Sequence, residues 1–254
     1  MEAPNAKRPK PWLAAAVFVV AAAVIVFAGT RLLQPTGAGR PVIGPNAYRL
    51  APPGNLPQAI PLRPGSDSVE PPAGWTKIPP RAEQPVRVFD RVPETVLEPG
   101  KDYAALVITN HGSFIVDLHE TRTPVTVNSF VWLALHRYYD GVSFHRVIPG
   151  FVAQGGDPTG SGGGGPGYQF GLEIQPDLRF NEAGVIGMAR TSDPNSNGSQ
   201  FYITLAATPN LNGQYTVFGK VISGLEVVEA VRARDPGAGG EADFMERVVV
   251  LTRS

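Results

Sequence analysis

The stretch that decides the fold is Phe144-His145-Arg146-Val147-Ile148-Pro149-Gly150-Phe151-Val152-Ala153-Gln154-Gly155-Gly156-Asp157. Residues 142–148 alternate as a strand does, with Phe144 on the opposite face from His145. Upstream, residues 104–109 read as a strand, Asn110-His111-Gly112-Ser113 supply a turn, and residues 114–118 return as a second strand. That pair is a hairpin. A helix is predicted next, with Thr123 as N-cap and Pro124 at the first helical position. Val127, Phe130, Val131, Ala134 and Leu135 carry its three- and four-residue spacing, and it ends near Tyr138-Tyr139. Downstream, short strands are predicted at 185–189, 201–205, 217–221 and 247–251, with a second helix at 225–233. Short strands between Gly, Asn and Asp turns, plus two helices, make a mainly β class with an antiparallel barrel and capping helices.

Bulk composition removes several function classes. The 254 residues carry 22 basic and 22 acidic side chains, so nothing points to nucleic acid. Cysteine is absent, which excludes disulfides, a thiol nucleophile and thiolate metal sites without fixing a compartment. His111, His119, His136 and His145 have no metal-ligand spacing, so no metal is expected. Gly160-Ser161-Gly162-Gly163-Gly164-Gly165-Pro166-Gly167 lacks the Gly-Lys-Ser/Thr ending of a phosphate loop and reads as a flexible surface loop.

Residues 1–33 read as a membrane anchor. Lys7, Arg8 and Lys10 precede an uncharged apolar run from Trp12 to about Gly29, closed by Arg31. Such a run spans about 27 Å as a helix, close to a bilayer's hydrocarbon core. The basic cluster before it directs the N-terminus to the cytoplasm and the rest across. A cleaved signal peptide is the alternative, and either reading places the remainder outside the cytoplasm. Residues 34–100, with Pro52-Pro53, Pro71-Pro72 and Pro79-Pro80, read as an extended spacer. A short strand at 86–89 and local docking of Trp75 and Ile78 are the structure expected there. Residues 101–254 are the folded domain.

The stretch at 144–157 closely resembles the signature of cyclophilins. Two further blocks resemble that family in order and separation: Gly187-Met188-Ala189-Arg190-Thr191-Ser192-Asp193-Pro194-Asn195-Ser196-Asn197-Gly198-Ser199-Gln200-Phe201-Tyr202-Ile203 and Leu211-Asn212-Gly213-Gln214-Tyr215-Thr216-Val217-Phe218-Gly219-Lys220-Val221. The likeness runs from about Ala104 to Leu251. It implies an eight-stranded antiparallel β-barrel closed by two helices, and peptidyl-prolyl cis–trans isomerase activity.

An X-Pro bond rotates over a barrier of roughly 20 kcal/mol because the nitrogen is conjugated with the carbonyl. A cation donating to that nitrogen stabilises the twisted state more than the planar one. Arginine suits the task, being always charged with donors in a rigid fork. By the resemblance this residue is Arg146, and Gln154 binds the substrate backbone and orients it. Phe151, Val152, Tyr202 and Leu211 match the proline pocket, with Val152 where methionine is common. The backbone of Ala189 and Arg190 holds the peptide extended, and Tyr215 stands where histidine is frequent. Asn210 occupies the place of a tryptophan that binds cyclosporin, so weakened drug binding is expected. No cofactor is needed for a reaction that breaks no covalent bond. The implied partners are proline-containing polypeptides and, through the N-terminal helix, the membrane, for a monomer that assists exported proteins. The rivals are a non-catalytic peptide-binding module and a membrane-tethered adaptor.

Overall fold

Most of the apolar alternation in the sequence becomes strand, and the computed structural model describes residues 43–44, 46–51, 69–236 and 240–254. In chain order the strands are β1 (Tyr48–Leu50), β2 (Thr76–Lys77), β3 (Asp102–Thr109), β4 (Gly112–Leu118), β5 (Val142–Ser143) and β6 (Arg146–Ile148). They continue as β7 (Val152–Gly155), β8 (Tyr168–Phe170), β9 (Val185–Met188), β10 (Phe201–Thr204), β11 (Val217–Ser223) and β12 (Phe244–Arg253). Helix α1 (Pro124–Leu135) follows β4, and α2 (Leu225–Glu229) follows β11.

One antiparallel sheet runs β2-β12-β3-β4-β11-β9-β10-β7-β6, and β5 also pairs with β12. A separate ribbon joins β1 to β8. The mainly β expectation holds, but among the described residues the ladder is an open path of nine strands with β5 attached to β12, rather than a closed eight-stranded barrel. The opening lies in the expected strand 142–148. Phe144 and His145 are both buried, so strict alternation fails between them. The chain changes neighbours there: β5 pairs with β12, and β6 pairs with β7.

Helix α1 begins where predicted, with Pro124 in its first turn. The cap differs. Thr123 makes no side-chain cap, and the Glu173 carboxylate instead accepts from the backbone N–H groups of Val125 (3.1 Å) and Thr126 (2.7 Å). The helix ends at Leu135 rather than near Tyr138, and Arg137 takes a positive φ of 56° just beyond it. Residues 126–135 are buried without exception, which requires cover on every face.

Part of that cover comes from the proline-rich segment. Phe89 lies 4.2 Å from the Trp132 ring, Arg81 N–H donates to Leu135 O (2.7 Å), and Asn128 binds Val96 N–H and Glu94 O. Phe89 and Leu97 are buried in the main core. Trp75 packs on Ala104, Leu106, Ile108 and Leu251, and Ile78 N–H donates to Val250 O. Residues 69–100 therefore line the domain, where the composition suggested a plain spacer. No strand forms at 86–89. The prolines remove ladder donors but leave the intervening apolar side chains free to pack.

Helix α2 is shorter than the predicted 225–233. Asp243 captures Arg232 through its N–H (2.8 Å), Nε (3.0 Å) and Nη2 (2.7 Å), and Arg234 pairs with Val147. These bonds pull the chain out of helical geometry. The apolar run 12–29 and Pro52-Pro53 lie outside the described residues. Among the described residues, no helix is long and apolar enough to cross a membrane.

Candidate functional site

Directly opposed residues of antiparallel strands share a face. The register opposes Arg146 to Gln154, Gln154 to Tyr202, Tyr202 to Gly187 and Gly187 to Val217. One row thus crosses β6, β7, β10, β9 and β11. Two residues along, Ile148, Val152 and Thr204 form the next row on the same face.

Arg146 is half-buried and its Nη1 reaches Gln154 Oε1 at 3.5 Å, the outer limit of a hydrogen bond. Gln154 Nε2 donates to Gln200 Oε1 (3.1 Å), and Gln200 Nε2 donates to Gly162 O and Gly164 O (both 2.9 Å). With its amide nitrogen held by Gln200, Gln154 must turn its oxygen toward the guanidinium. The Arg146 guanidinium carbon also stands 5.9 Å from the Phe151 ring centre.

Beside this pair lies a small apolar cluster separate from the main core. Val152, Phe180, Val185, Tyr202 and Val217 are its buried members, and Phe151, Leu178, Ala189, Leu211 and Tyr215 are half-buried on it. Every apolar residue expected at the site belongs to it. The Tyr202 ring lies between Phe180 (centroids 5.5 Å) and the edge of Tyr215 (5.8 Å, 86°). Burial, and to a lesser degree Tyr215, pushes the Tyr202 phenol well above its ordinary pKa, and its hydroxyl has no hydrogen-bond partner among the described residues. Asn212 ties the wall together: its Oδ1 accepts from Phe180 N–H (2.7 Å) and its Nδ2 donates to Asn181 (2.9 Å).

Gly187 makes room for the two rings. A Cβ there would lie 2.7 Å from both the Phe180 and Tyr202 rings. Gly187→Ala is expected to displace one ring and cost about 1–3 kcal/mol of stability by overpacking. Urea denaturation checks this, and a change below about 0.5 kcal/mol would mean the rings move aside freely.

The remaining expected residues sit at the rim. Arg190 lies 4.8 Å over the Tyr215 ring, donates from Nε and Nη2 to Gln214 O (3.1 and 2.8 Å), and donates from Nη1 to Thr191 O (2.8 Å). Its charge is thereby fixed on Tyr215. Asn210 is exposed in the 3-10 turn Pro209–Leu211, with its carbonyl accepting from Gln214 Nε2.

The glycine-rich loop has a physical account of its own. Asp157 is fully buried, and its carboxylate accepts from the N–H groups of Thr159 (2.7 Å), Gly162 (2.7 Å) and Gly164 (3.1 Å). A Cβ on Gly164 would collide with that carboxylate. The loop is a nest for an internal anion. His145 packs against it beside Gly162, and both ring nitrogens are buried without a hydrogen-bond partner among the described residues. Burial holds its pKa below the ordinary value, opposed in part by Asp157.

Phe180, Gly187, Gln200 and Asp157 are members of this arrangement that sequence reasoning did not single out. Gly187, Gln200 and Asp157 lie inside the family-like blocks, so adjacency could have flagged them. Phe180 sits in an irregular stretch with no periodic signal. Among the described residues, no group of three or more His, Asp or Glu side chains could hold a metal ion.

A family model described as cyclophilin type peptidyl-prolyl cis-trans isomerase/CLD matches residues 104–253. The peptidyl-prolyl cis-trans isomerase ppi1 of Schizosaccharomyces pombe is 52% identical over 122 residues, covering 47% of this chain and 78% of that protein. The peptidyl-prolyl cis-trans isomerase-like 1 of Aspergillus oryzae is 49% identical over 124 residues, covering 48% and 76%. A crystal structure of a Cryptosporidium parvum cyclophilin type peptidyl-prolyl cis-trans isomerase matches at TM-score 0.56 and 36% identity, covering 59% of this chain and 97% of that one. The same protein solved in the presence of the dipeptide Ala-Pro matches at TM-score 0.55 and 37% identity, over 58% and 98%. The match to residues 104–253, on a fold whose neighbours are cyclophilins, places this chain in the cyclophilin-type peptidyl-prolyl cis–trans isomerase family.

Proposed function

We propose that this chain rotates X-Pro peptide bonds at the Arg146–Gln154 face and acts on exported polypeptides from an N-terminal membrane tether. The observation that carries the catalytic reading is the row that sets a guanidinium beside a glutamine and against a separate apolar cluster. The cluster receives the proline ring on Phe151, Val152, Tyr202 and Leu211. Arg146 donates to the prolyl nitrogen as it becomes pyramidal, which withdraws its lone pair from the carbonyl and lowers the barrier. Gln154 holds the substrate backbone while Gln200 fixes its amide. Ala189 and Arg190 align the peptide through their main chain, and the Tyr215 hydroxyl reaches the substrate carbonyl. No cofactor or metal takes part, and the protein acts as a monomer. That a family member was crystallised in the presence of Ala-Pro supports a proline-containing substrate.

The test is relaxation of an Ala-Pro test peptide with the full chain added. Absence of acceleration overturns the assignment. The address rests on Lys7, Arg8 and Lys10 ahead of the uncharged run. The expected intact mass of the mature protein is that of the uncleaved chain, whereas loss of about the first 28 residues would show a signal peptide.

A further inference from the structure

A short strap outside the region matched by the family model reaches the site. β1 pairs with β8, opposing Arg49 to Gln169 and Leu50 to Tyr168, and Ala51 N–H donates to Gly167 O (2.9 Å). The strap is pinned at several points. Tyr48 packs edge-on against Tyr168 and Phe170, its hydroxyl donates to Val125 O (2.6 Å), and Asn128 donates to that hydroxyl (3.2 Å). Arg49 Nη2 binds Asp193 Oδ2 (2.8 Å), Asn195 O (3.0 Å) and Gln169 Oε1 (3.2 Å).

These bonds deliver Ala51 to the edge of a cavity of about 220 Å³, whose lining includes Gln154, Ala189, Arg190 and Gln200. Gln154 and Ala189 belong to the proposed proline site as well, so a peptide seated there runs over the cavity mouth. Apart from Arg190, the lining carries no charged residue, and the Arg190 guanidinium is bound to Gln214 O and Thr191 O. A charged side chain entering would give up water without a partner, whereas an uncharged one would not.

We propose that the strap is a specificity element: Ala51 forms the outer wall of this cavity and sets the size of the uncharged side chain that a bound peptide places there. The inference rests on the isomerase reading above. It assigns substrate selection to residues 48–51, which lie before the matched region, and to the ion pair between Arg49 and Asp193 that holds them.

The experiment uses the full chain and Ala-Pro peptides in which each flanking position is glycine, leucine, phenylalanine or lysine in turn. The quantity read is the ratio of kcat/KM for each side chain to that for glycine. In the unsubstituted protein, leucine exceeds lysine at the position that enters the cavity. Ala51→Trp lowers the phenylalanine-to-glycine ratio there by about tenfold, the scale of a few misfitting methylenes in a pocket. Arg49→Ala, which removes one of the strap's pins and loosens it without filling the cavity, raises that ratio instead. Ratios that stay the same in both variants, or an equal loss on every peptide, overturn the wall. Absence of acceleration by the unsubstituted chain overturns the isomerase reading itself, and the wall with it.

Discussion

Arg146→Ala lowers kcat/KM for an Ala-Pro peptide by about 10²–10³-fold, the range seen when one preorganised transition-state donor is removed. The structure explains why the loss falls on the rate. Gln154 remains fixed by Gln200 when the guanidinium goes, and the apolar cluster is built from other strands. Peptide affinity should therefore change little while kcat collapses, which marks an interaction made in the transition state. Arg146→Lys restores only part of the rate, because an ammonium keeps the charge but lacks the rigid fork. Unchanged kcat/KM in Arg146→Ala would remove the residue from the mechanism. If the chain were only a peptide-binding module, unsubstituted and variant proteins would share a negligible rate and similar affinities. If it were an adaptor, cellular function would survive Arg146→Ala and fail on deletion of the spacer.

Phe89→Ala destabilises the full chain by about 3–5 kcal/mol, as for a large aromatic deleted from a packed core. The Phe89 ring is 7% exposed and lies 4.2 Å from Trp132, 5.4 Å from His136 and 6.4 Å from Tyr138. Its backbone N–H donates to Pro166 O (2.9 Å), a bond the substitution leaves in place, so the loss reads the ring alone. Equilibrium urea unfolding measures the change. A value below about 1 kcal/mol would return residues 69–100 to the status of a plain tether. A fragment beginning at residue 101 lacks Phe89 and Leu97 and uncovers Trp132 on the outer face of α1, so it should be less stable than the whole.

What the sequence made legible were features encoded locally. The hairpin β3–β4 and the start of α1 follow from alternation, turn residues and Pro124. The row from Arg146 to Val217 needed more, since register between distant strands is set by turns and packing that no single segment contains. The family likeness supplied those partners before the ladder was visible. The break between β5 and β6 was hidden because residues 142–148 alternate in sequence as one strand would, and only the folded partners β12 and β7 show that the run divides. The Glu173 cap was hidden for a similar reason: it comes from 48 residues beyond Val125. The lining formed by residues 69–100 was hidden by proline, whose density signals extended chain without saying that Phe89 and Leu97 find a core. Isolated apolar residues carry no period, and only the folded partner shows their use.

The last strand has a consequence for the order of events during synthesis. β12 pairs with β2, β3 and β5, so it is the common neighbour of three strands made much earlier. A nascent chain that has reached Arg234 already contains β1 to β11, yet β3 still has one bare edge, Ile78 lacks the Val250 carbonyl it binds, and Trp75 lacks Leu251. Such pairings close loops of a hundred residues or more, the slow and cooperative kind of contact. The domain therefore cannot settle piecemeal as it emerges. It stays unlatched until residues 244–253 are made, and then closes in one late step along most of the length of β3.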